Sequence, residues 1–108
     1  MNDVYTDIAL IYYRSKNYLE AAKFFKKIDS KMLGNNLQFK LAYCYFKIDS
    51  LTDASYYFSK IISENSNLSD PSRYYFAHIL YLNENYDEAL ENFLKLKNSE
   101  KFSSIVPY

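Results

Sequence analysis

Residues 85 to 96 read Asn85-Tyr86-Asp87-Glu88-Ala89-Leu90-Glu91-Asn92-Phe93-Leu94-Lys95-Leu96. A short polar residue opens the stretch, an acid follows three positions later, and Ala89, Phe93 and Leu96 recur at helical spacing. Two earlier stretches follow the same plan. Asn17 to Ile28 carries Glu20, Ala21, Phe25 and Ile28, and Ser50 to Ile61 carries Asp53, Ala54, Phe58 and Ile61. Upstream of each, Ala9, Ala42 and Ala77 recur at the same intervals of 33 and 35 residues. A period near 34 that fixes small and aromatic positions together marks a helical solenoid.

Apolar periodicity predicts three pairs of helices: Asp3 to Ser15 with Tyr18 to Ile28, Leu37 to Lys47 with Leu51 to Glu64, and Pro71 to Leu82 with Tyr86 to Leu96. Asn17, Ser50 and Asn85 stand where an N-cap accepts an orphan backbone N–H, and Glu20, Asp53 and Glu88 stand where an acid reaches back to the cap's own N–H. Such a cap contributes about 1 kcal/mol. Gly34 and the paired asparagines in Asp29 to Asn36 suit a helix end and a turn, and Pro71 suits a first helical turn. Connections this short force consecutive helices antiparallel.

Composition narrows the function classes. The chain has 108 residues, 49% of them hydrophobic, which is enough for a packed core. Thirteen basic residues balance thirteen acidic ones, so the basic excess of a nucleic-acid domain is missing. No apolar run approaches the ~18 residues of a membrane span, so direct membrane insertion is not expected. The first residues lack the basic-then-apolar layout of a signal peptide, which excludes export only if Met1 is the native start. A single cysteine, Cys44, allows neither an internal disulfide nor a Cys-based zinc site. One glycine, Gly34, allows no phosphate loop or nucleophile elbow.

The repeated positions resemble the tetratricopeptide repeat, a helix–turn–helix unit of about 34 residues. Repeat one reads Tyr5, Ile8, Ala9, Tyr12, Asn17-Tyr18, Ala21, Phe25 and Ile28. Repeat two reads Gln38, Leu41, Ala42, Tyr45, Ser50-Leu51, Ala54, Phe58 and Ile61, and repeat three Arg73, Phe76, Ala77, Leu80, Asn85-Tyr86, Ala89, Phe93 and Leu96. The family's turn glycine is replaced by Lys16, Asp49 and Glu84, and its late alanine by larger apolar residues, which implies slightly wider helix spacing. The resemblance implies an all-α, right-handed superhelix of three antiparallel helix pairs. It implies one domain over 1–108, with repeats at about 2–35, 36–69 and 70–103. Tyr108 stands 34 residues after Tyr74, so 104–108 reads as the start of a fourth repeat and the chain as part of a longer array. The run from Tyr86 to Lys97, followed by Phe102 to Tyr108, is also similar to long repeat proteins of Bacteroidetes. That likeness implies a periplasmic or cell-envelope setting; without it, a cytoplasmic one stands.

In this family the first helices of successive repeats line a concave groove that takes peptide segments. Carried over, the resemblance assigns the groove to Tyr13 and Arg14 on the first repeat, and to Phe39, Lys40, Tyr43, Phe46 and Lys47 on the second. On the third it assigns Tyr74, Tyr75, His78, Tyr81 and Leu82, while Asp3, Thr6, Asp7 and Leu10 join the first and Asn36 the second. The family's clamp for a terminal carboxylate falls on Thr6, Leu10, Lys40, Pro71 and Tyr75, of which Lys40 alone has suitable chemistry. Tyrosine and phenylalanine offer large rigid contact area, which suits an interface. The competing reading is that these aromatics only thicken a small core or pack against neighbouring repeats.

Other chemistry carries less. His78 stands alone, with no metal-ligand set around it. Asp87, Glu88 and Glu91 occupy a helix start, where acids favour the macrodipole and solvent. Lys23, Lys26, Lys27 and Lys31 form a basic strip that reads as a solvated face or as a site for an anionic partner. A Cys44–His78 nucleophile lacks any indicated third group. The expectation is a non-catalytic scaffold without cofactor or metal, binding a protein or peptide and no nucleic acid. The alternative is a structural segment of a longer array, self-associating through an uncapped C-terminal end.

Overall fold

The computed structural model describes residues 2–98, leaving the side chains of residues 2, 3 and 30 aside. The expected groove side chain of Asp3 and the expected start of a fourth repeat at 104–108 lie outside the described residues. The described chain is all-helical: α1 (Asn2–Arg14), α2 (Tyr18–Phe25), a 3-10 turn (Ser30–Met32), α3 (Asn35–Lys47), α4 (Leu51–Ser63), α5 (Ser69–Leu82) and α6 (Tyr86–Lys97). Among the described residues no helix is long and apolar enough to cross a membrane. The chain divides into two compact units, 1–57 and 58–108, and the division falls inside α4.

The turns after α1, α3 and α5 are built identically. Lys16, Asp49 and Glu84 each adopt φ 64°, the left-handed region. The next residue's N–H reaches back five positions: Asn17 donates to the Tyr12 carbonyl, Ser50 to Tyr45 and Asn85 to Leu80, each at 2.8 Å. Lys16 donates to Tyr13 at 3.1 Å, Asp49 to Phe46 at 3.3 Å and Glu84 to Tyr81 at 3.0 Å. This paired pattern satisfies the last carbonyls of the first helix and reverses the chain in three residues.

It also corrects the capping expectation. The N–H of Asn17, Ser50 and Asn85 is already committed to the preceding helix, so the acids three residues on have nothing to reach back to. Glu20 pairs instead with Lys23 at 3.1 Å. Asn17 Oδ1 accepts the Glu20 N–H at 3.5 Å, the long limit for such a bond, and Asn85 makes no side-chain cap bond.

Helix bounds differ from expectation at identifiable points. α2 stops at Phe25 rather than Ile28, because Lys27 and Ile28 donate to carbonyls only three residues back. The paired asparagines open α3 rather than a loop. Gly34 caps that helix in an extended conformation (φ −68°, ψ 175°), and buried Gln38 Nε2 ties its start to the Leu33 carbonyl at 2.6 Å. α5 begins at Ser69, before Pro71, and Ser69 Oγ donates to the Ile61 carbonyl at 3.3 Å.

The repeated small positions are all interior. Ala9, Ala21, Ala42, Ala54 and Ala77 are fully buried, and Ala89 nearly so. In the first unit Ala9 and Ala21 pack with Ala22, Phe25, Ile28, Leu33, Leu41 and Cys44, ringed by half-buried Tyr5, Tyr12, Phe24 and Tyr45. Tyr12 stacks on Phe24 at 5.8 Å, and Tyr5 meets the same ring at 6.5 Å. Near the turn Tyr13 meets Tyr18, so α1 and α2 run antiparallel. One repeat on, Tyr45 stacks on Tyr57 at 6.0 Å.

In the second unit Arg73 Nη1 donates to Asn92 Oδ1 at 2.6 Å, while Tyr81 meets Tyr86 beside the turn, so α5 and α6 are also antiparallel. Burying Phe25 and Phe58 completely is worth about 3–5 kcal/mol each against alanine. Phe93, on the last described helix, is only half-buried.

Candidate binding surface

Lys40, Tyr43 and Lys47 are three and four residues apart on α3, which brings them onto one face. The α1 turn delivers Tyr13 beside them, and the start of α2 adds Tyr18. The three tyrosine rings meet edge to face, with centroids 5.9 Å apart for Tyr13–Tyr18, 6.2 Å for Tyr13–Tyr43 and 5.6 Å for Tyr18–Tyr43. This geometry sets a positive ring edge against a negative face and is favourable beyond area alone. Lys40 Nζ lies 5.8 Å from the Tyr13 ring and Lys47 Nζ 6.0 Å from the Tyr43 ring, both within cation–π range. Lys40 also donates to Asn36 Oδ1 at 3.4 Å.

Burial raises the Tyr18 hydroxyl pKa, and the neighbouring Tyr43 hydroxyl, to which it is hydrogen-bonded, raises it further. Tyr18 therefore keeps its proton at neutral pH. The cluster offers rigid apolar faces with two ammonium groups above them. Such a surface can hold peptide side chains on the rings and accept a carboxylate or carbonyl at the lysines.

The remaining groove positions distribute as follows. Phe39 and Phe46 are half-buried on α3. Arg14 is exposed and lines an open depression of 420 Å³ with Asp7, Leu10 and Ile11. In the second unit Tyr75 stacks on buried Phe58 at 5.4 Å, and Tyr74 stands edge-on between Tyr75 and Phe93. His78 lies 6.3 Å from Tyr81, whose ring is exposed and meets Tyr86 at 5.7 Å. Tyr13, Tyr74 and Tyr75 thus serve internal packing as well as the surface, since Tyr13 also touches buried Phe25 at 6.4 Å.

Tyr18 is the member that sequence reasoning missed. It reads there as the residue that opens the second helix, and the available signal was its spacing from Tyr13 across a three-residue turn. Cys44 is fully buried, and desolvation pushes its thiol up to about 12, so it remains protonated at neutral pH. Among the described residues no group of three or more His, Cys, Asp or Glu gathers around a metal position.

No protein-family model, curated protein or solved structure matches this chain.

Proposed function

We propose that the chain is a tetratricopeptide-like scaffold, a right-handed solenoid of three helix pairs that binds a peptide or protein segment without catalysis. Its register is supported by the three identical turns and by the buried alanine at every repeat. The observation that carries the binding reading is the Tyr13–Tyr18–Tyr43 cluster with Lys40 and Lys47 over its rings. The two ammonium groups add a cationic edge to those rings, where a peptide carboxylate or carbonyl can pair. In the second unit Tyr74, Tyr75, His78 and Tyr81 place further rings on α5.

The test uses peptides selected against the chain from a random displayed library and titrated by calorimetry. Tyr43→Ala and Tyr75→Ala should each weaken binding about tenfold, as truncating an aromatic anchor does. Unchanged affinity in both variants sinks the reading. A second reading, self-association as part of a longer array, is favoured by α6, where Tyr86, Leu90 and Leu94 stand exposed in a row.

A further inference from the structure

On α6, Tyr86, Leu90 and Leu94 are four residues apart and so form one stripe; they are 57%, 58% and 46% exposed. Leu90, Phe93, Leu94 and Lys97 enclose a depression of 140 Å³ on that face. Exposed Asp87 runs alongside, with Glu91, which Lys95 Nζ approaches only to 3.9 Å. The helix thus presents an apolar ridge whose first turns carry an acidic margin and whose last turn carries Lys95 and Lys97.

The first unit presents the reverse. Leu19 and Ala22 of α2, with Tyr45, Ile48 and Ser50 at the end of α3 and its turn, floor a trough of 530 Å³. Lys23, Lys26 and Lys27 rim it. Lys23 is paired with Glu20, whereas Lys26 and Lys27 rest on rings, over Tyr57 and over Tyr5 and Phe24, without a carboxylate among the described residues. Lys26 and Lys27, just past the end of α2, therefore form a basic rim, and the first turns of α6 carry the acids that complement it.

Resting on the self-association reading, we infer that the α6 ridge of one copy seats in the lysine-rimmed trough of a second copy. Leu90 and Leu94 enter the apolar floor, and Asp87 and Glu91 meet Lys26 and Lys27. The trough has room for side chains and not for a whole helix, which suits a ridge laid across its mouth. The two surfaces are different patches of the same chain, so the contact is head-to-tail and propagates beyond a dimer unless it closes into a ring.

The test is sedimentation velocity on the full chain from about 10 μM to about 1 mM, where an interface of modest area assembles. Self-association that weakens with added salt is expected. The paired variants Lys26→Glu/Lys27→Glu and Asp87→Lys/Glu91→Lys, checked for folding by circular dichroism, should each associate at least about tenfold more weakly. Mixing them should restore assembly, because each then offers the other a complementary partner. A chain that stays monomeric throughout overturns both the inference and the self-association reading. Association unaffected by both charge reversals, or a mixture no stronger than its components, overturns the trough alone.

Discussion

Lys16, Asp49 and Glu84 hold the same φ of 64°, a conformation that costs a residue with a β-carbon about 1 kcal/mol or more and costs glycine nothing comparable. The cost is tolerated because each turn satisfies two carbonyls of the preceding helix with well-formed bonds. Replacing any one of the three with glycine keeps those bonds and removes the strain, against some loss of chain entropy on folding. Each substitution should therefore raise stability by up to ~1 kcal/mol in denaturant melts, and all three together should add, since the sites share no partner. A loss of stability in every variant would contradict this. Cys44 and Tyr45 set a second residue-scale behaviour. Burial pushes each to about 12, from ordinary values of 9.0 and 10.0, with Tyr57 and Asp53 adding to the Tyr45 shift. For an acid raised on folding, the native state holds the proton longer than the unfolded chain does. The stabilisation is complete below pH 9 and is lost as pH climbs from 9 toward 12, by about 1.4 kcal/mol per pH unit for each group titrating. Cys44→Ala should move the onset of that loss from near 9 to near 10 in alkaline urea melts, while an unchanged onset would remove the thiol from the account.

At the scale of elements, the repeat period and the buried alanines were legible because close helix approach leaves no choice of side chain at those positions. Ala9, Ala42 and Ala77, with Ala21, Ala54 and Ala89, occupy the interior as the spacing predicts. Helix ends were less legible. α2 yields to tighter bonding after Phe25, and the 3-10 turn at Ser30–Met32 carries no periodicity to announce it. The reciprocal caps were misread for a physical reason: sequence pattern shows which groups can pair, but not that a left-handed residue upstream has already claimed the N–H. At the candidate surface, the shared face of Lys40, Tyr43 and Lys47 follows from α3 alone. The arrival of Tyr18 depends on how α2 packs on α3, which no single helix encodes. The third repeat shows how far one register tolerates different chemistry. Where Tyr5 meets Phe24 in the first pair, Arg73 donates to Asn92, whose amide in turn donates to the Glu88 carbonyl at 2.9 Å.

For the molecule as a whole, the decisive fact is that it contains two compact units and that one helix belongs to both. Ala54 is fully buried before the division inside α4, and Phe58 and Ile61 are fully buried after it. Two compact units, each with buried residues of its own, can open locally, so a cavity should be felt most strongly near where it is made. Ile79, 2% exposed on α5, and Leu41, fully buried on α3, are the matched probes. Either change to alanine should cost about 2–5 kcal/mol locally. In native-state hydrogen exchange, Ile79→Ala should then accelerate the amides of α5 and α6 by at least about 30-fold, with a smaller effect on α1 and α2. Leu41→Ala should give the reverse pattern. Equal acceleration across all helices in both variants would mean that α4 couples the two cores into one cooperative block, and the ridge on α6 could then be loosened by damage as distant in sequence as α3.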